Sequence, residues 1–262
     1  MSILEQLARA EANDEPVALC TLINTSGSTP RHEGSKMLVY PDGHILGSIG
    51  GGEVESRVIQ EALTALLNGK ARRLSYNMVD PQRGDPGVCG GQVEVFVEPI
   101  IPRPEIVIIG GGHVGKAVAH LAHWLGFRVA VSDDRAEFCT KDANPDADRF
   151  FQVPMAELPH HLKITPQTYL VLTTRGMAVD VAGLPGLLES DAAYIGLIGS
   201  KRRWSMTRKA LIETGIPQEK LDRVHSPMGL ELNAETPEEI AVSIMAEILK
   251  YRNGGSGTSM SS

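Results

Sequence analysis

The segment Ile108–Gly115 constrains the fold more than any other part of the chain. It carries the pattern G-x-G-x-x-G between an apolar run and a helix-like pattern. In this pattern Gly110 permits a tight turn, Gly112 lets the backbone approach a pyrophosphate, and Gly115 allows close packing of helix on strand. The pyrophosphate would meet the N-terminus of the helix, where backbone N–H groups are free. His113 lies inside the same fingerprint.

The acidic pair Asp133 and Asp134 ends the next predicted strand. A carboxylate at this position usually binds the ribose of a dinucleotide, so Asp133 is predicted to bind the cofactor. Arg135 stands beside the pair and would suit a 2′-phosphate, which leaves the choice between NAD and NADP open.

Strands and helices alternate through the C-terminal part of the chain. Apolar strands are predicted at 105–109, 127–131, 169–173 and 193–197, with helical patterns between them. A last helix begins after Thr236, where Pro237 fits the first helical position and Glu239 completes a capping box. The pattern predicts an α/β fold, with a Rossmann-like, doubly wound parallel sheet in this part.

The N-terminal part reads as a small α+β domain. A buried strand is predicted at 17–23, a hairpin turning at Asp42-Gly43, a helix at 53–67 and a strand at 93–97. Three prolines in Glu98–Pro104 predict a stiff linker. We therefore expect domains at 1–99 and 104–252, followed by a disordered Gly/Ser-rich tail at 253–262.

Composition excludes several classes of protein. The net charge of −7 argues against nucleic-acid binding, and no apolar run approaches the length of a membrane span. The first residues lack the pattern of a signal peptide. Three cysteines cannot build a disulfide framework, so we expect a cytoplasmic protein with reduced thiols and no membrane partner.

Glycine makes up 27 of the 262 residues and is concentrated in clusters. Two clusters belong to the N-terminal part: Gly50–Gly52 opens the long helix, and Gly90–Gly91 precedes a strand. The polar loop Thr25–Arg31 also leaves a strand there, and Cys89 directly precedes Gly90. Free N–H groups at the helix start would suit an anion such as phosphate.

A catalytic set for hydride transfer is missing from the sequence after the linker. His120 and His123 lie in the first helix pattern, where partly exposed residues are expected, and His160 and His161 follow Pro159 in a predicted surface loop. An NAD(P)-dependent oxidoreductase and a nucleotide-sensing regulatory module both stay open as alternatives, because the fingerprint alone does not fix function.

The chain as a whole resembles the XdhC/CoxI family of xanthine dehydrogenase accessory proteins. The resemblance rests on the stretches Gly27–Arg31, Gly34–Met37, Gly50–Gly52 with Glu55, Cys89–Gly91, Gly110–Gly115, Tyr194–Arg202, Pro227–Leu230 and Thr236–Ala241. It implies a dimeric, two-domain protein that acts as a chaperone in cofactor maturation rather than as a stand-alone catalyst.

The resemblance also implies a ligand and partners. The ligand is the molybdenum cofactor (molybdopterin), held while its terminal sulfido ligand is installed and then passed to a xanthine dehydrogenase-type molybdenum hydroxylase. A sulfur-donating desulfurase is the second expected partner. Cys89 is the candidate catalytic thiol and a possible contact for molybdenum or sulfur, because a thiolate is a soft ligand. The remaining candidate cofactor-binding residues are Ser28, Arg31, Gly50, Gly51, Gly52, Gly90, Gly91, Gly110, Gly112, His113, Gly115, Asp133, Ser200, Lys201 and Arg202.

Two positions depart from the family pattern. Family members often read Thr-Arg-Gly-His followed by Asp, whereas this chain has Met177 in the place of the histidine, followed by Asp180. The thioether removes a titratable, metal-capable imidazole from that loop. Asn233 stands where a glycine is common.

Overall fold

The computed structural model describes residues 2–78 and 90–261. The chain divides into two compact units, Met1–Pro102 (unit 1) and Arg103–Ser262 (unit 2). The structure is mixed α/β, with an antiparallel sheet in unit 1 and a parallel sheet in unit 2, as the sequence predicts.

Unit 1 is a five-stranded antiparallel sheet with helices packed on it. In chain order its elements are α1 (Ile3–Ala12), β1 (Val17–Ser26), β2 (Lys36–Val39), β3 (Ile45–Gly47), α2 (Gly52–Asn68), β4 (Arg72–Asn77) and β5 (Gln92–Ile100). The strand order is β3-β2-β1-β5-β4. The apolar stripe of α2 joins the buried side chains of β1 and β5 in one core.

The linker is shorter than its prolines predict. Glu98 and Pro99 pair with Leu19 and Ala18 of β1, so they are strand residues. The pairing of β5 with β4 ends at Val97, so Glu98 and Pro99 pair with β1 alone. A proline fits such an edge position, because no second strand needs its missing N–H. The predicted hairpin at Asp42-Gly43 is confirmed, since β2 and β3 pair antiparallel around it and Gly43 has a φ of 84°.

Unit 2 is a six-stranded parallel sheet covered by helices. Its elements are β6 (Glu105–Ile109), α3 (His113–Trp124), β7 (Arg128–Ser132), β8 (Arg149–Phe151), α4 (Leu158–His161), β9 (Thr168–Leu172), α5 (Met177–Leu188), β10 (Tyr194–Leu197), α6 (Lys201–Glu213), α7 (Gln218–Leu221), β11 (Val224–His225) and α8 (Pro237–Asn253). Two apolar clusters form the core: one contains residues of α3 and α8, and the other contains residues of α5, α6 and α7.

The strand order β11-β10-β9-β6-β7-β8 gives the sheet a topological switch between β6 and β9. This is the 3-2-1-4-5-6 order of a Rossmann fold, in which ligands bind outside the carboxyl ends of the strands at the switch. The helix start at Thr236 is also confirmed: Thr236 accepts the backbone N–H of Glu239, and the Glu239 carboxylate accepts that of Thr236.

Candidate functional site

The glycine fingerprint lies at the switch between β6 and β9. Gly110 has a φ of 112°, and a Cβ atom there would lie 2.5 Å from the backbone oxygen of Thr173. A Cβ on Gly115 would overlap the backbone oxygen of Gly110. Gly112 caps α3 without a side-chain hydrogen bond and has open space around it, and the exposed His113 is the first residue of the helix. Internal packing thus requires glycine at positions 110 and 115, while Gly112 leaves room beside the helix start.

The Asp133 carboxylate is buried and already hydrogen-bonded within unit 2. It accepts the backbone N–H of Gly111 at 2.9 Å and that of Arg135 at 3.0 Å. The Arg135 guanidinium donates twice more, from Nε at 3.0 Å and from Nη2 at 2.9 Å. These hydrogen bonds raise the pKa of Arg135. Since donors surround the carboxylate, binding of a ribose hydroxyl at Asp133 would require Arg135 to move away.

Asp134 forms a second ion pair, with Arg175 at the end of β9. The two guanidinium nitrogens Nη1 and Nη2 donate to the two carboxylate oxygens at 2.6 Å and 2.7 Å. The hydrogen bonds from Arg175 lower the pKa of Asp134 to about 2. The pair links the ends of β7 and β9. It was not predicted from the sequence, because 41 residues separate its members.

A cavity of about 270 Å³ lies beside these two ion pairs. Its polar lining comprises Ser132, Asp133, Asp134, Arg135, Thr174 and Arg175. Its apolar walls come from the segment after β8 and from α5: Val153, Pro154, Met155, Ala178, Val179 and Ala182. The cavity adjoins Gly110 and therefore the switch of the sheet.

A buried ion pair between Asp180 and Arg203 lies at the end of β9. Asp180 is fully buried and accepts hydrogen bonds from Arg203, from Nε at 3.0 Å and from Nη2 at 2.6 Å. Its second oxygen accepts the hydroxyl of Thr174, and Arg203 also donates to that hydroxyl at 2.7 Å. The network joins the end of β9 to the starts of α5 and α6. Arg203 was missed in the sequence, where the adjacent Lys201 and Arg202 drew attention.

The candidate cofactor-binding residues at the start of α6, Ser200, Lys201 and Arg202, have different surroundings. Ser200 caps the helix by accepting the backbone N–H of Arg203 at 3.2 Å. Lys201 and Arg202 are exposed on the first turn. Ser200 therefore stabilises the start of the helix, and the Lys201 and Arg202 side chains face solvent.

In unit 1 the three glycine-containing loops lie together. A Cβ on Gly27 would lie 2.9 Å from the backbone oxygen of Gly90, and one on the buried Gly91 would lie 2.8 Å from that of Ser26 and overlap that of Ser28. A Cβ on Gly50 would lie 2.9 Å from the ring of Pro30. We call the three segments, residues 26–31, 48–52 and 90–91, the glycine-loop cluster. Ser28 and Arg31 are exposed within it.

Glu55 occupies the backbone donors that the sequence assigns to a phosphate. Its Oε2 accepts the hydroxyl of Ser48 at 2.6 Å, the N–H of Ile49 at 3.1 Å and the N–H of Gly51 at 3.2 Å. Ser48 in turn accepts the N–H of Gly50 at 3.1 Å. Gly50, Gly51 and Gly52 have φ values of 139°, 76° and 66°, which only glycine adopts readily. The loop is therefore held by the chain's own carboxylate.

The cysteines differ in their surroundings. Cys89 lies outside the described residues. Cys20 is buried in the unit 1 core, and burial raises its pKa to about 12. Cys139 follows a short 3₁₀ turn (Ala136–Phe138), and burial raises its pKa as well. No cluster of three or more potential metal ligands occurs among the described residues.

We expect Cys20 to resist alkylation in the folded protein. A buried thiol with so high a pKa supplies almost no thiolate at pH 8, and the thiolate is the reactive species. Peptide mapping by mass spectrometry after iodoacetamide treatment checks this, with the urea-unfolded protein as the fully labelled control. Equal labelling in the folded and unfolded states would contradict the buried placement.

The two departures from the family pattern are both located. Met177 is the half-buried first residue of α5. Asn233 has a φ of 52°, in the left-handed region. Asparagine tolerates that region better than most side chains, which explains how it replaces a glycine there.

The structure defines a class of protein: a Rossmann-type unit with a cavity beside its switch, preceded by a small antiparallel unit. The family model described as the XdhC Rossmann domain matches residues 106–248, and the model described as the XdhC and CoxI family matches residues 10–77. The chain belongs to the XdhC/CoxI family.

Three curated relatives are similar to this chain. YqeB of Escherichia coli K12 is 37% identical over 98% of the chain and 47% of its own length. A probable xanthine dehydrogenase subunit of Bacillus subtilis 168 is 33% identical over 60% of the chain and 46% of its own length. The molybdenum cofactor insertion chaperone PaoD of E. coli K12 is 22% identical over 96% of the chain and 88% of its own length. The chain thus spans about half the length of the first two relatives.

A solved structure supports the fold. The crystal structure of a xanthine dehydrogenase from Bacillus halodurans matches 99% of this chain and 98% of its own, with a TM-score of 0.52 and 24% identity. Within the described ranges, none of the helices combines the length and the apolar character needed to span a bilayer.

Proposed function

We propose that this protein binds the molybdenum cofactor as cargo and serves as an accessory protein to a xanthine dehydrogenase-type molybdoenzyme. The observation that carries the proposal is the glycine-loop cluster of unit 1. Three separate segments meet there, and Gly27, Gly50 and Gly91 leave too little space for a Cβ atom. The cluster leaves Ser28 and Arg31 exposed. Family membership and the likeness to PaoD, which is named for molybdenum cofactor insertion, support the choice of cargo.

The chemistry of the cargo matches the residues available. Molybdopterin carries a phosphate, a pterin and a dithiolene-bound metal. Arg31 is an exposed guanidinium, suited to phosphate oxygens. The dithiolene already holds the metal, so the cargo needs no multi-residue metal site. Cys89, which directly precedes Gly90 in the chain, supplies a soft thiolate for the metal or its sulfur.

The proposed role is that of a carrier, which holds the cofactor while a desulfurase supplies the terminal sulfur and then delivers it to the molybdoenzyme. A homodimer and a cytoplasmic location belong to the same proposal. The charged groups that line the cavity are paired with one another, Asp133 with Arg135 and Asp134 with Arg175, which suits a carrier rather than a stand-alone catalyst.

The test is a bound-pterin assay on protein purified from a host that makes molybdopterin. We expect near-stoichiometric pterin, measured by fluorescence after oxidation and release. Wild-type protein without pterin would overturn the proposal.

The role of Cys89 has its own prediction. We expect Cys89→Ser to lose at least 10-fold in bound molybdenum, measured by elemental analysis, because a hydroxyl is a poor soft-metal ligand. The matched control is Cys139→Ser, since Cys139 lies in unit 2 with a Sγ that contacts the backbone oxygen of Val131 at 3.6 Å. Equal molybdenum content in both variants would show that Cys89 does not contact the metal.

A further inference from the structure

The cavity beside the ion pairs of Asp133 and Asp134 has the size of a single ring system. Its volume of about 270 Å³ is below the ~300–1,000 Å³ typical of pockets for drug-sized ligands. With Asp133 enclosed by Gly111 and Arg135, the usual ribose contact is taken. The cavity therefore accommodates a compact ring, whereas the ribose of a dinucleotide would first have to displace Arg135 from Asp133.

A buried hydroxyl on the cavity lining lacks a partner. Ser132 is fully buried at the end of β7 and lines the cavity, and its Oγ has no hydrogen-bond partner among the described residues. Buried polar groups are nearly always paired, so a ligand atom that completes this hydrogen bond gains specificity. The unpaired hydroxyl favours a polar occupant of the cavity over an apolar one.

The ion pair of Asp134 shows which polar edge would fit. Arg175 presents two parallel N–H donors to the two carboxylate oxygens. A 2-amino-4-oxo-pyrimidine ring presents the same pattern, because its amino N–H and its ring N–H point in one direction. Arg175 is about half exposed, so it can swing into solvent, and the two N–H donors of the ligand edge would then replace its two hydrogen bonds to Asp134.

The remaining walls suit a flat ring. Pro154 and Met155 line the cavity from the segment after β8, and Ala178 and Val179 line it from α5. These side chains are apolar, and a methionine thioether makes favourable contacts with an aromatic system.

We propose that this cavity binds the pterin ring of the cargo, with the amino-amide edge on Asp134 in place of Arg175. The inference rests on the proposed function and names its pterin subsite. Guanine carries the same edge and adenine does not, so the two purines discriminate the chemistry.

The experiment titrates the full chain with 6-hydroxymethylpterin and follows the pterin fluorescence, with GMP and AMP as competitors. We expect saturable binding, competition by GMP but not AMP, and at least 10-fold weaker binding in Asp134→Asn, because the amide opposes an N–H donor to the N–H edge. Arg175→Ala should bind two- to five-fold more tightly, since the competing exposed ion pair is gone. The control Asp222→Asn removes another exposed aspartate paired with an arginine, Arg208, and should bind as the wild type does.

The outcomes separate this inference from the proposed function. Unchanged pterin binding in Asp134→Asn, or competition by AMP equal to that by GMP, would overturn the edge recognition. Binding of GMP without binding of the pterin would assign the cavity to guanine nucleotides and overturn the pterin subsite. If purified Asp134→Asn keeps its full cofactor content, the subsite is wrong and the carrier function stands. If wild type binds the pterin but is purified without cofactor, the carrier function fails alone.

Discussion

Replacing Arg203 with alanine is expected to lower the free energy of unfolding of unit 2 by about 3–5 kcal/mol. Asp180 is fully buried, and Arg203 supplies two of its hydrogen bonds. Without the guanidinium the carboxylate keeps the Thr174 hydroxyl as its partner but loses its opposite charge. An unpaired charge in the interior is strongly unfavourable, whereas the intact pair need not be worth much relative to apolar residues.

Urea unfolding monitored by tryptophan fluorescence measures this loss, since both tryptophans, Trp124 and Trp204, belong to unit 2. The matched control is Arg202→Ala, at the exposed neighbouring position, where a change within about 0.5 kcal/mol is expected. The double variant Asp180→Leu with Arg203→Met should recover part of the loss, because it removes both charges. A loss below about 1 kcal/mol for Arg203→Ala would show that Asp180 finds another partner.

Replacing Gly91 with alanine is expected to reduce the bound cofactor at least 10-fold and to destabilise unit 1 by about 1–3 kcal/mol. The new methyl group would overlap the backbone oxygen of Ser28 and lie 2.8 Å from that of Ser26. Both obstacles are backbone atoms, so the loop at residues 26–31 must move. That movement displaces Ser28 and Arg31 from the glycine-loop cluster.

Bound pterin reports the cofactor, and hydrogen exchange of the β1 and β5 amides reports the stability of unit 1. The control is Gly43→Ala at the hairpin turn, where φ is 84° and the space is open. Alanine in this left-handed backbone destabilises unit 1 by about 1–2 kcal/mol. The control therefore matches the destabilisation expected for Gly91→Ala but lies away from the glycine-loop cluster. Full cofactor content in Gly91→Ala, or equal loss in Gly43→Ala, would contradict a specific role for the packed loops.

The sequence predicted the parts of the fold that depend on local pattern. The turn at Asp42-Gly43, the capping box at Thr236 and the alternation of strands with helices in unit 2 are short-range signals, and the structure contains all of them. The helix α1 and the strand β4 were missed. Strand β4 alternates half-buried and exposed residues at the edge of the sheet, so its apolar signal is weak.

The ion pairs of the site could not be predicted from sequence patterns. Asp134 meets Arg175 across 41 residues, and Asp180 meets Arg203 across 23, and only the folded sheet brings them together. The sequence drew attention to Lys201 and Arg202 because charge is visible in a sequence and burial is not. In the sequence, the one feature that marks Arg203 is its position one helical turn after Gly199, the glycine that follows β10.

Glu55 gives the glycine loop of unit 1 its shape before any cargo arrives. The carboxylate fixes Ser48, Ile49 and Gly51 when the chain folds. The entropy cost of ordering Gly50–Gly52, which all have positive φ, therefore belongs to folding and not to ligand binding. A ligand then meets a preformed surface and need not order it. For the carrier role proposed above, this would affect both binding and release, because a loop that does not refold around a ligand does not have to unfold to release it.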